Sequence, residues 1–241
     1  MKIYKEKTYE DMSKRAADII AEQIKNKPDS VLGLATGSTP IGMYEKLVEK
    51  YNNHEIDFSK ITTINLDEYK GLDPENNQSY HYFMNEHLFS KVNIPSANIH
   101  LPDGKEEDEE KVCKEYDDII EKSGGIDIQV LGIGENGHIG FNEPSDKFSK
   151  GTNCVNLTKN TIEVNSRFFK SIDEVPTKAY TMGIESIFSA KKIILMANSK
   201  KKADILKKAL TGDITPEVPA SILQKHPDVV VIGDEEALRD F

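Results

Sequence analysis

Short apolar runs alternate with amphipathic stretches along the chain. Residues 31–35, 61–66, 126–133, 193–197 and 229–232 are short and almost wholly apolar, and read as strands. Between them lie helical patterns. Residues 9–25 place Met12, Ala16, Ile19, Ile20 and Ile24 on one face, and 41–51, 79–89, 111–122 and 200–210 show the same period. This βαβα order predicts an α/β protein: a single doubly wound, Rossmann-like, mostly parallel sheet with helices on both faces and right-handed crossovers. No repeat, low-complexity tract or linker interrupts it, so residues 1–241 read as one domain, with a small local excursion at 146–158.

Three of the strands run into segments rich in reactive side chains. After the first, Thr36, Gly37, Ser38 and Thr39 offer backbone N–H groups and three hydroxyls at the start of a helix, and Pro40 suits its first turn. Such a loop can cradle a phosphate or carboxylate, or be a plain capped turn. No lysine follows the glycine in the Walker A pattern. After the second strand, Asp67 and Glu68 can serve as a general base, a metal ligand or a helix cap. No other His, Asp and Glu have metal-ligand spacing, which favours acid–base work over a metal. After the third, glycines at 132, 134, 137 and 140 surround His138, and Glu143 follows five residues later. Glycines let a backbone approach a ligand closely, imidazole carries protons near neutral pH, and a nearby carboxylate can orient it. A lone histidine after a strand is commonly structural; the glycines and Glu143 weigh the other way. Downstream, Arg167 is one of only three arginines and suits bidentate phosphate binding. Lys202, among 28 lysines, reads by itself as a surface residue.

The formal net charge of −10 disfavours broad contact with nucleic acid or an anionic membrane, but not a small anionic substrate held by local groups. The acidic run 106–110 suits a helix N-terminus. No apolar run is long enough to span a bilayer, and the first residues lack the apolar core of a signal peptide. Cys113 and Cys154 read as reduced thiols in a cytoplasmic protein.

Taken in order, segments 35–40, 65–69, 79–80, 132–144, 165–169, 181–184, 202–203 and 219–224 resemble the glucosamine/galactosamine-6-phosphate isomerase family, across nearly the whole chain. The resemblance implies an isomerising deaminase of amino-sugar catabolism, converting glucosamine 6-phosphate and water to fructose 6-phosphate and ammonia without a cofactor or metal. It makes Asp67 the base between C2 and C1, and His138 the ring opener with Glu143 and Asn136 as its relay. It assigns the phosphate to Thr36, Gly37, Ser38, Thr39, Arg167 and Lys202, which overturns the surface reading of Lys202. Glu68, Tyr80 and Gly137 would lie at the substrate or its lid, with helix 79–89 mobile.

Two departures from the family pattern matter. Asn136 stands where some members have aspartate, so Glu143 alone would supply the charge beside the imidazole. Residues 153–156 lack the basic side chains with which some members bind an activator at a subunit interface, and the chain ends soon after 233–236. The expectation is a non-allosteric monomer or small homo-oligomer. The alternatives are a 6-phosphogluconolactonase-type hydrolase, which would share the anion loop and Gly-His motif without needing a C2 base, and a sugar-phosphate sensor without turnover.

Overall fold

The computed structural model of the chain describes residues 1–166, 169 and 171–241; Arg167 lies outside these. In chain order the elements are β1 (Lys2–Glu6), α1 (Tyr9–Asn26), β2 (Val31–Leu34), α2 (Ile41–Asn52), β3 (Thr62–Asn65), β4 (Asp67–Tyr69), α3 (Tyr80–His87), β5 (Ile99–His100) and α4 (Glu109–Lys122). There follow β6 (Ile128–Leu131), β7 (Asn153–Asn156), α5 (Lys159–Asn165), β8 (Lys178–Thr181), α6 (Ile184–Phe188), β9 (Lys192–Ala197), α7 (Ala203–Thr211) and β10 (Val229–Asp234).

Seven strands form one sheet in the order β1-β10-β9-β6-β2-β3-β5, and each pairing is parallel. Alternate residues of each strand feed opposite layers, as the pleat requires. Val31, Ile64, Leu131, Ile193, Leu195, Val229 and Val231 pack with Tyr116 and Ile120 of α4, Ile184 and Ile187 of α6, and Leu206 and Ala209 of α7. Leu32, Leu34, Ile128, Val130, Ile194, Met196, Val230 and Ile232 pack with Met12, Ala16 and Ile20 of α1, Met43 and Leu47 of α2, and Met84 of α3. The sheet is therefore covered on both faces, as the apolar runs predict.

The sequence order places the functional segments. From β2 the chain moves outward through β3 to β5; from β6 it moves the other way through β9 to β10, with the N-terminal β1 on the edge beyond it. The order reverses between β2 and β6, and in open parallel sheets the crevice beyond the strand C-termini at such a point is where ligands bind. The opposite edge is clamped. The buried Asp127 carboxylate accepts hydrogen bonds from the Val31 N–H at 2.8 Å, Lys27 Nζ at 2.6 Å and Lys191 Nζ at 2.8 Å, joining the starts of β2, β6 and β9.

A second sheet, β4-β8-β7, is antiparallel and small. It takes in the local excursion expected at 146–158 and carries Tyr69, Phe141, Leu157 and Ala179 as a separate apolar cluster. Its strands, and the edge strands β1 and β5, are too short or too polar to show in the apolar pattern. Several expected boundaries shift by two or three residues: residues 200–202 form a 3₁₀ turn before α7 starts at Ala203, α4 starts at Glu109, capped by the Asp108 side chain, α3 ends at His87, and β6 is trimmed to Ile128–Leu131.

Candidate active site

The loop from β2 into α2 lies on one side of the switch point. Gly37 has φ 95°, a left-handed conformation that glycine adopts without strain. The Tyr9 hydroxyl, from α1, donates towards the carbonyls of Ser38 at 3.0 Å and Thr39 at 3.1 Å and accepts from the Gly42 N–H at 2.9 Å. The Thr39 hydroxyl donates to Asn198 Oδ1 at 3.0 Å, tying the loop to the end of β9. Apart from the Tyr9 hydroxyl on Gly42, no side chain caps the N-terminus of α2, so most of its positive end stays open.

The two acids after β3 have separate fates. Glu68 is 3% exposed, and its carboxylate accepts three backbone N–H groups: Tyr69 at 2.8 Å, Tyr80 at 2.9 Å and His81 at 2.9 Å. With Ser79 accepting from the Tyr82 N–H at 3.0 Å, the free donors of the first turn of α3 are filled from within the protein. Of the readings open for this pair, Glu68 takes the helix cap; it lies at the base of the expected lid helix, with its carboxylate already engaged. Asp67 is also buried, and among the described residues its carboxylate has no hydrogen-bond or ion-pair partner. Burial and the neighbouring Glu68 push its carboxyl up to about 8. Burial pushes Glu68 up to about 7 against the opposing pull of its three donors.

The third loop leaves β6. The His138 ring lies directly over Gly134, where a Cβ would sit 2.2 Å from the ring, so only glycine fits there. Gly137 has φ 90°, and its carbonyl accepts from the Ala220 N–H at 2.9 Å. Gly140 backs onto the neighbouring strands: a Cβ there would lie 2.8 Å from Thr181 Oγ1 and 3.6 Å from Asp67 Oδ2. His138 Nδ1 stands 3.4 Å from Glu143 Oε1. Thr161 of α5 donates to the same oxygen at 3.1 Å, and the Asn136 amide donates to Oε2. Burial raises the Glu143 carboxyl, but His138, Asn136 and Thr161 outweigh it and hold the group below the usual glutamate range. The expected relay is thus rearranged. Asn136 holds Glu143, and its Oδ1 accepts from the His138 backbone N–H at 3.2 Å; its contacts are to the carboxylate and backbone, not the imidazole.

Lys202 follows β9. It is half-buried and, among the described residues, no carboxylate pairs with it; burial lowers its ammonium, against a weaker opposing pull from Glu135. The preceding Ser199 is held at φ 76°, and its N–H donates to the Asp234 carboxylate at 2.9 Å. A half-buried cation without an ion pair, after a strand whose end is tied to the α2 loop through Thr39 and Asn198, is a place for an anion. Tyr80, at the start of α3, touches each loop. Its ring centroid lies 4.7 Å from Tyr69 and 6.1 Å from Phe141, with the Phe141 ring nearly parallel, and its phenol is in hydrogen-bonding reach of Thr36.

The structure thus gathers Thr36 to Thr39, Asp67, His138, Glu143 and Lys202 at the C-terminal edge of adjoining strands. Among the described residues, no cluster of three or more His, Cys, Asp or Glu is set to hold a metal. Sequence reasoning missed Tyr9 and Thr161. Their contacts span 29 and 18 residues, and no local pattern marks them.

A doubly wound α/β fold hosts many chemistries, and comparison with known proteins narrows them. A family model described as glucosamine-6-phosphate isomerases/6-phosphogluconolactonase matches residues 4–232, and the chain belongs to that family. Among its relatives, the glucosamine-6-phosphate deaminase of Lachnoclostridium phytofermentans is 58% identical over 232 residues, covering 96% of this chain and 98% of that one. That of Clostridium botulinum is 58% identical over 237 residues, with 98% and 97% covered. A solved structure of a monomeric glucosamine-6-phosphate deaminase superposes with a TM-score of 0.96 at 46% identity over 99% of both chains. The 6-phosphogluconolactonase of Trypanosoma brucei shares the fold, with a TM-score of 0.78 at 16% identity.

Proposed function

We propose that this protein converts glucosamine 6-phosphate and water to fructose 6-phosphate and ammonia. The observation that carries the reading is the buried, unpartnered Asp67 carboxylate beside the loop of the His138–Glu143 pair. A lactone hydrolase has no use for a base at that position. The 55–58% identity to curated deaminases supports the same choice.

Each step has a group matched to it. The phosphate docks at the Thr36 to Thr39 loop and the open end of α2, with Lys202 and Arg167 as cations. This remote binding energy fixes C1 and C2. His138 moves the proton that opens the pyranose ring, and Glu143 stabilises the imidazolium that forms. Ring opening yields an aldehyde, which makes the C2 proton acidic. Asp67 removes that proton and returns it to C1. Protonation at C1 leaves the C2 amine as a protonated imine; water adds to its carbon, and the resulting carbinolamine expels ammonia to leave the C2 ketone. The substrate's own amine carries the chemistry, so the reaction calls for neither a pyridoxal group nor a metal.

The site draws on strand ends from residue 36 to residue 202, which supports the 241 residues acting as one catalytic domain. We place the enzyme in the cytoplasm, where a phosphorylated sugar is retained, and in the breakdown of N-acetylglucosamine. It acts as a monomer without an allosteric activator. Residues 153–156 form β7 and carry no basic side chain, and the monomeric deaminase of TM-score 0.96 supports the same state.

The test is an assay of the purified protein with glucosamine 6-phosphate that follows ammonia and fructose 6-phosphate together. Equal amounts of both are expected, with a hyperbolic rate curve unchanged by N-acetylglucosamine 6-phosphate. Neither product, with hydrolysis of 6-phosphogluconolactone instead, would falsify the deaminase reading.

A further inference from the structure

The Glu68 carboxylate is buried and has a task that the reaction steps leave unassigned. It takes the first two N–H groups of α3, those of Tyr80 and His81, and the N–H of Tyr69 on its own strand. Ser79 already caps the third N–H of the helix. Glu68 is therefore more than an ordinary cap, because it joins α3 to the strand that begins with Asp67. The residue it anchors, Tyr80, packs against both Tyr69 on that strand and Phe141 on the His138 loop, and those two rings also meet each other at 6.0 Å.

We propose that Glu68 is a positioning residue: by holding the first turn of α3 it seats the Tyr80 ring against both Tyr69 and Phe141, completing the ring cluster that joins the Asp67 strand to the His138 loop, and so keeps the two acid–base groups in register. This rests on the deaminase reading. Glu68 touches neither substrate nor reacting atoms. A glutamate is suited to this position because its two oxygens reach three N–H donors on two elements, and the helix dipole favours its charge. Glutamine keeps one accepting oxygen but turns an N–H₂ towards the His81 donor.

The test is a double-mutant cycle of Glu68→Gln and Tyr80→Ala, reading kcat, KM and inorganic phosphate affinity. Misplacing acid–base groups by about 1 Å costs roughly 100-fold in rate, so kcat of Glu68→Gln should fall about 10- to 100-fold. Phosphate affinity, set by the α2 loop, should stay within about twofold of the parent, a split that a general loss of structure would not give. Because Glu68 works through Tyr80, the double variant should be no slower than the slower single one. Parental kcat in Glu68→Gln, or losses that multiply in the double variant, would overturn the proposal. If the parent turns over no amino-sugar phosphate, the functional reading alone falls. The same cycle is then read on amide exchange of Tyr80 and His81 and on thermal stability. Lost protection with coupled stabilities supports the seating of Tyr80; unchanged protection overturns it.

Discussion

His138 Nδ1 lies 3.4 Å from Glu143 Oε1, while both oxygens of that carboxylate are held from behind by Thr161 and Asn136. The distance is long for a formed hydrogen bond and suits a pair that tightens when the ring becomes charged. Glu143 stays ionised because its three donors outweigh its burial. Glu143→Gln keeps the shape and removes the charge. Its kcat for glucosamine 6-phosphate should fall roughly 100-fold, in the range of general acid–base contributions, with the fold intact by circular dichroism. A kcat within about twofold of the parent would detach Glu143 from the imidazole's chemistry.

Asp67 should mark the pH dependence of both activity and stability. As a base it must be ionised, so kcat/KM should rise with pH through about 8, the value to which burial and Glu68 push its carboxyl. For stability the sign is opposite. A carboxyl raised in the folded state binds more protons folded than unfolded, so it lowers stability as pH climbs from its unfolded value of about 4. Asp67→Asn should therefore melt above the parent, with the gap opening as pH rises through that window and levelling above about 8. Thermal melts at several pH values check this; a gap that does not change with pH would refute it.

The parts of this site that could be read from the sequence are those whose signal is local. The apolar runs locate five of the sheet's seven strands because strands buried on both faces need no other pattern. Glycine and hydroxyl residues after β2, and glycines around His138, mark loops because backbone geometry demands them there. Asp67 and Glu68 could not be told apart, since the N–H groups that separate them belong partly to Tyr80 and His81, 12 and 13 residues further on. Lys202 looked like any surface lysine, because half-burial without a partner is a property of the folded neighbourhood. The place of Asn136 in the relay was likewise not legible: its amide holds Glu143, and only the folded loop shows that contact.

Lys202 gives a direct check on the phosphate site. Lys202→Met removes a half-buried charge that no described carboxylate neutralises. Inorganic phosphate should bind about 10- to 100-fold more weakly, as expected for a charge-assisted hydrogen bond of roughly 1.5–3 kcal/mol. Melting should hold or rise. Titration calorimetry with phosphate measures the first, and an unchanged affinity would place the anion elsewhere.

Asp127 supplies a control at the far edge of the sheet. Lys27 and Lys191 depress its carboxyl despite burial, so its stabilising contribution is present above the unfolded pKa and lost as pH falls through the lowered folded value. Both lysines are well exposed, which limits the effect to about 1–2 kcal/mol. Asp127→Asn should lower the melting temperature by roughly 3–6 °C at pH 7, with less difference below pH 4 and kcat unchanged. A kcat lowered in step with the melting temperature would link the two edges of the sheet.

The division of labour between Asp67 and His138 is tested most directly by solvent exchange at C2. In deuterated water the parent should place solvent deuterium at C1 of fructose 6-phosphate and exchange C2 of recovered glucosamine 6-phosphate. Asp67→Asn should show neither, while still binding a phosphorylated open-chain amino-sugar alcohol with parental affinity. Exchange at the parental rate in Asp67→Asn would show that another group moves the C2 proton.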